Sequence, residues 1–237
     1  MAEGERKNKI KETIQDGKFR ILVLASGNGS NFQQIINGVE DGSIDANIIR
    51  LISDKEDAYA LIRAETYSIP WTKVLSGGRK KMGSTQRQEF EQEILDVVLG
   101  DLPDLIVLAG WMMILSDDFV KTVNKSGTKI INLHPAYLSE KNDEYVTTVP
   151  SGYTIPVIRG ANAIKDAHDR GLEMKVTGVT VHEVVSGDVD VGNIIVQREV
   201  PIYAGDTMDA LENRVHKTEY DLLPGAIRRV IMDHKGQ

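Results

Sequence analysis

Phe19-Arg20-Ile21-Leu22-Val23-Leu24-Ala25 is followed at once by Ser26-Gly27-Asn28-Gly29-Ser30-Asn31, and then by residues 32–39, in which Phe32, Ile35, Ile36 and Val39 recur at helical spacing. The first run reads as a buried strand and the last as a helix. Strand, glycine-rich turn and helix in that order form a phosphate-binding unit. Gly27 and Gly29 can take positive φ and let an anion approach the backbone. The first amides of the helix lack internal partners, and the helix dipole favours negative charge. Phe32 stands where the third glycine of a dinucleotide fingerprint belongs, and no Gly-Lys-Ser/Thr ending makes this a Walker-type loop. A monophosphate suits the turn better than a pyrophosphate; a plain tight connection is the alternative it leaves open.

Working outward, the alternation repeats. Strands are expected at 47–52, 70–75, 103–109 and 128–133, and helices at 54–66, 84–99 and 116–123; a basic, glycine-containing loop lies at 76–83. Such alternation implies an α/β fold, a doubly wound and mostly parallel sheet of Rossmann-like type. Residues 135–159 are the least orderly, with a charged run at 140–144 and prolines at 150 and 156. A connection of that length is functional or disordered. A helix at 160–171 precedes strands 176–184 and 193–200, whose short loop points to an antiparallel hairpin at the sheet's edge. A C-terminal helix covers 207–233, and Pro224 is expected to divide it. Residues 1–17 read as a polar extension and 18–237 as a single domain, because neither repeats nor a low-complexity linker interrupt them.

Composition narrows the function. The 237 residues are 41% hydrophobic and 27% charged, enough for a sizeable core in a soluble protein. A net charge of −7 argues against broad nucleic-acid or anionic-membrane binding. An anionic ligand must therefore be held by local donors. The chain has no cysteine, which removes disulfides, thiolate catalysis and cysteine-ligated metals. It has no membrane-length apolar run and no signal-peptide core, so a cytosolic or organelle-matrix enzyme is expected.

Ile131-Asn132-Leu133-His134-Pro135 is a strand stopped by proline. Side chains alternate along it, so Asn132 and His134 emerge together at a strand's C-terminal end, where open α/β sheets bind ligands. A histidine satisfied by backbone is the alternative. Gly110-Trp111-Met112-Met113-Ile114-Leu115 either walls a pocket for a flat aromatic ligand or fills core.

Together, the run 22–31, Val107-Leu-Ala-Gly-Trp-Met112, the 131–135 pentapeptide and Asp190-Val-Gly192 resemble, over residues 19–231, the phosphoribosylglycinamide formyltransferases, folate-dependent enzymes of purine synthesis. The resemblance implies transfer of a formyl group from 10-formyltetrahydrofolate, as co-substrate, to the amine of glycinamide ribonucleotide, with no metal. It implies that Asn132 donates to the formyl oxygen and that His134, as imidazolium, stabilises the same charge. Asp190 would keep His134 protonated and relay a proton through water, with Asp188 as its rival. It places the phosphate on Gly29, Ser30 and Asn31, and the ribose on Glu219 with His216. It places the folate at Trp111, Met112, Ile114, Leu115, Val185 and the backbone of 185–190, with Arg87 on a carboxylate. The partners expected are small molecules, not nucleic acid or membrane, in a cytoplasmic monomer or homodimer. Met113 replaces the arginine or leucine usual in that family, Asn162 stands where a histidine is often found, and residues 137–158 form a much longer insert. A 10-formyltetrahydrofolate hydrolase or a formyltransferase for another small amine is the competing expectation. The hydrolase is expected to carry a further regulatory domain and a methionyl-tRNA formyltransferase a basic RNA-binding one.

Overall fold

The computed structural model describes residues 17–77, 84–141 and 143–236. The expected N-terminal extension, apart from Gly17, and most of the basic loop at 76–83 lie outside them.

Strands β1 (Phe19–Leu24), β2 (Ala46–Ser53), β3 (Trp71–Lys73), β4 (Leu105–Leu108), β5 (Lys129–His134), β8 (Val176–Glu183) and β9 (Ile194–Pro201) form one sheet, in the order β3-β2-β1-β4-β5-β8-β9. The first five run parallel, and β8 and β9 are antiparallel. The sheet is buried on both sides, and β1 shows why its sequence lacks polar positions. Ile21 and Val23 join one core, Leu22 and Leu24 the other. On the first face lie helices α1 (Ser30–Glu40), α2 (Tyr59–Thr66), α5 (Ala163–Arg170, continued by a 3-10 turn, Gly171–Glu173) and α6 (Met208–Lys235). On the second lie α3 (Ser84–Asp101) and α4 (Asp117–Lys125). The order reverses at β1 and β4, whose C-terminal ends open the crevice that doubly wound sheets use for ligands.

Three local expectations are corrected. Residues 54–58 are not helical: Ala58 is extended, with φ −61° and ψ 123°, and caps α2. Side-chain bonds prevent an earlier start, since Ser53 Oγ accepts the Lys55 amide at 3.3 Å and the buried Asp54 accepts Ser76 Oγ at 3.0 Å. Pro224 does not divide α6, which runs unbroken for 28 residues. Its missing N–H removes one rung, and the burial of Leu222, Leu223, Ala226 and Ile227 carries the helix through. The irregular stretch after Pro135 is folded into an antiparallel pair, β6 (Val146–Thr148) and β7 (Thr154–Pro156). Gly152, at φ 87°, makes the turn, and Val149, Ile155 and Ile158 anchor the pair in the first core.

Candidate active site

The glycine turn is built from its backbone. Gly29 sits in the left-handed region at φ 72° directly before α1, which no side chain caps. A Cβ on Gly29 would lie 2.7 Å from the Ala60 Cβ, so both φ and space demand glycine. The Gln33 amide reaches the Gly29 carbonyl at 2.9 Å, which leaves the amides of Ser30, Asn31 and Phe32 without acceptors in the helix. From the neighbouring loops, Met112 N–H donates to Ser26 Oγ at 2.9 Å and Ser26 N–H to the Gly110 carbonyl at 3.1 Å, tying the ends of β1 and β4 together.

Asn31 does not turn its side chain to an anion. Its Nδ2 donates to Glu219 Oε2 at 2.9 Å, and its Oδ1 is buried with no partner among the described residues. The amide of Asn31, not its carboxamide, remains for phosphate. Glu219, 4% exposed, also accepts from His216 Nδ1 at 2.8 Å. That bond, outweighing burial and helped by Glu212, holds the His216 pKa above its ordinary 6.5.

On the next strand but one, Asn132 and His134 share a face of β5, and the antiparallel pairing sets His182 of β8 opposite Asn132. Asp190 completes the group from the loop after β8. Its backbone is left-handed, φ 52°, a conformation aspartate tolerates better than most residues. Asp190 Oδ2 lies 3.3 Å from His134 Nδ1 and accepts the Gly160 amide at 2.6 Å. Its Oδ1 accepts Asn132 Nδ2 at 3.1 Å. His182 Nδ1 donates to the Glu183 carbonyl at 2.9 Å, so its Nε2 is free to accept the second Nδ2 proton of Asn132, 3.3 Å away. His134 Nε2 donates to the Ile158 carbonyl at 2.8 Å. Every donor in this centre is therefore engaged within the protein. Asp188 is exposed and bonds only locally to Ser186, so it is not part of the group.

Burial and charge oppose each other in this centre. Burial pulls the His134 pKa below 6.5; Asp190 and the Ile158 carbonyl push it up without prevailing. Burial pulls Asp190 the other way, upward, but the nearby His182 and His134 rings and the Gly160 amide together hold it below the usual carboxylate range.

A cavity of about 610 Å³ joins the two groups, from Gly29, Ser30 and Asn31 through Asn132, His134 and Asp190 to His216 and Glu219. Trp111, Met112, Ile114 and Leu115 also line it. Trp111 is largely core, stacked on Phe90 with centroids 6.3 Å apart, whereas Met112 and Ile114 are more than half exposed. Two expected residues do not reach the cavity. Arg87 braces its wall, donating to Glu91 at 3.2 Å and to the Ile114 carbonyl at 2.6 Å. Val185 is exposed while Val184 and Ser186 face the cavity, as extended backbone alternates. His182, Gly160 and Ile158 escaped the sequence reading: His182 becomes visible only once β5 and β8 are paired, and the other two end the long insert.

Residues 19–227 match the family described as formyl transferase. The chain is 37% identical over 218 residues to the phosphoribosylglycinamide formyltransferase of Dictyostelium discoideum, covering 89% of this chain and 97% of that one. It is also 37% identical over 221 residues, 93% of its length, to the trifunctional purine biosynthetic protein adenosine-3 of Gallus gallus, of which it spans 19%. Among solved structures, glycinamide ribonucleotide transformylase 1 from Symbiobacterium toebii superposes with a TM-score of 0.72 at 30% identity, over 90% of this chain and 88% of that one.

Proposed function

The chain belongs to the formyl transferase family, in its phosphoribosylglycinamide formyltransferase branch, and from that premise we propose that it transfers the formyl group of 10-formyltetrahydrofolate to the amine of 5-phosphoribosylglycinamide, giving formylglycinamide ribonucleotide and tetrahydrofolate. One observation carries the reading. A carboxamide, an imidazole and an ionised carboxylate meet in the same cavity as a helix start whose first amides have no partner among the described residues.

The residues divide the work. The free amides of Ser30 and Asn31, beyond the Gly29 turn, take the ribonucleotide's phosphate. Glu219, oriented by Asn31 and His216, accepts from the ribose hydroxyls. This brings the substrate's amine toward Asn132 and His134. As that amine adds to the formyl carbon, the formyl oxygen gains negative charge. Asn132 Nδ2 leaves His182 and the His134 Nε2–H leaves the Ile158 carbonyl to donate to it. Acceptors face both ring nitrogens, the Ile158 carbonyl at Nε2 and Asp190 at Nδ1, so the Asp190 charge favours the imidazolium that donates to both while burial opposes it. Asp190 holds the ring through Nδ1 and, through solvent, carries the proton from the attacking amine to the departing N10. Trp111, Met112, Ile114 and Leu115 flank the pterin, and Arg87 braces that wall through the Ile114 carbonyl. The binding chemistry fits a two-substrate cavity: the volume lies in the usual range for ligand sites.

Mixing the protein with glycinamide ribonucleotide and 10-formyl-dideazafolate and following deformylation by absorbance tests the proposal. Deformylation dependent on the ribonucleotide is the expected result. Equal deformylation without any amine acceptor would identify a hydrolase instead.

A further inference from the structure

Arg63 sits outside the cavity, on the far side of the glycine turn, and plays no part in the steps above. Its guanidinium nevertheless grips that turn. From α2, Nε donates to the Asn28 carbonyl at 3.0 Å, Nη2 to Asn28 Oδ1 at 3.0 Å and Nη1 to Gln33 Oε1, on α1, at 2.9 Å. The plane lies over Tyr59, its Cζ 4.9 Å from the ring centroid. A planar fork with fixed donor directions is suited to holding two atoms of one residue at once; an ammonium is not. Asn28 immediately precedes Gly29, whose left-handed φ aims the start of α1. The same helix supports the turn twice more, through Ala60 N–H donating to the Gly27 carbonyl at 3.2 Å and through Ala60 Cβ against Gly29.

Electrostatics adds a second effect. All three oxygens that Arg63 contacts are neutral, so they leave its charge uncancelled beside the place where a dianion is to bind. In a chain of net charge −7, such a cation offsets part of the repulsion that an incoming phosphate meets.

We propose that Arg63 is a positioning residue for the anion cradle: by fixing Asn28 it holds the Gly29 turn in the shape that receives the substrate's phosphate, and its charge favours that dianion. This rests on the cradle being the ribonucleotide site. The loss falls on ribonucleotide binding and not on formyl transfer, because Arg63 touches no group of the transfer centre.

The test is steady-state kinetics of Arg63→Met and Arg63→Lys, with thermal unfolding and inhibition by inorganic phosphate measured alongside. For Arg63→Met the ribonucleotide KM is expected to rise about tenfold, with kcat and the KM for the formyl donor within about twofold of wild type. Inhibition by phosphate should weaken in step. Arg63→Lys, which keeps the charge and loses the fork, should fall between. If Arg63→Met does not fold, a rise of a few-fold in the ribonucleotide KM of Arg63→Lys alone carries the same prediction. An unchanged ribonucleotide KM in an active protein overturns the inference and leaves the proposed function standing. A parallel loss of kcat, both KM values and thermal stability would make Arg63 a structural residue and also overturn it. Wild-type protein that neither formylates the ribonucleotide nor is inhibited by phosphate removes the proposed function, and this inference with it.

Discussion

The proposed anion cradle and the proposed formyl-transfer centre share one cavity but are built in opposite ways. At the cradle, backbone amides of Ser30, Asn31 and Phe32 stand without partners among the described residues, held by a glycine whose conformation the chain cannot relax. At the transfer centre each donor is already bonded: Asn132 to Asp190 and His182, His134 to Ile158, and the Gly160 amide to Asp190. The histidines differ in the same sense. His216, beside the cradle, is raised by Glu219, and His134, in the centre, is lowered by burial. The contrast teaches that a helix start can wait with its first amides unpaired, since those amides lack internal partners in any helix. A buried reactive centre cannot, because unpaired buried donors are expensive. It satisfies itself and, in the proposed mechanism, exchanges partners when the substrate arrives.

That contrast can be broken by perturbing one region and reading the other. The largest effect is expected from His134→Ala, which should lower kcat about a thousandfold while ribonucleotide affinity, measured by calorimetry, stays within a few-fold. Comparable losses in both would mean that the two regions are not separable. Next comes Gly192→Ala. Its Cβ would fall 1.9 Å from the Glu183 carbonyl oxygen, so the loop must shift and carry Asp190 away from His134. A fall of about a hundredfold in kcat is expected, with the phosphate site unaffected; near-normal turnover would detach Asp190 from the chemistry. Asn31→Ala should instead raise the ribonucleotide KM about tenfold with kcat preserved, because it frees Glu219 from one of its two donors. A kcat defect there would count against the division of labour.

The smallest effect separates the histidines by pH. His216, with a raised folded pKa, adds stability that is complete below pH 6.5 and fades as pH rises through that pKa. His134, with a lowered one, acts in the opposite sense: its contribution is complete above 6.5 and is lost as pH falls through its folded pKa. Urea midpoints of wild type and His216→Gln should therefore differ modestly at pH 6 and converge at high pH. NMR titration should place the two rings on opposite sides of 6.5. Both rings titrating on one side would erase the electrostatic half of the comparison.

Legibility followed the distance over which each feature is encoded. The run from Phe19 to Val39 displayed strand, turn and helix because each is a local pattern, and Asn132 and His134 were readable as a pair because strand periodicity alone sets their common face. The extent of α2 and α6 was less readable. Asp54 is kept out of a helix by Ser76, and Pro224 is kept in one by apolar neighbours, so tertiary context overrode propensity in both directions. The β6–β7 pair carried a weak signal in Pro150-Ser151-Gly152 between short β-forming runs, masked by charge and proline.

Residue order alone determined the parallel sheet, the glycine turn and the residues that resemble a formyl-transfer set, because hydrophobic periodicity and glycine stereochemistry act within a few residues. Folding decided the rest: that His182 meets Asn132 across an antiparallel register, that the chain returns Ile158 and Gly160 to the reactive pair, that Arg63 grips Asn28, and that burial lowers the His134 pKa. These depend on burial and on contacts between residues up to 58 positions apart at the transfer centre, and neither is written in any one stretch of chain.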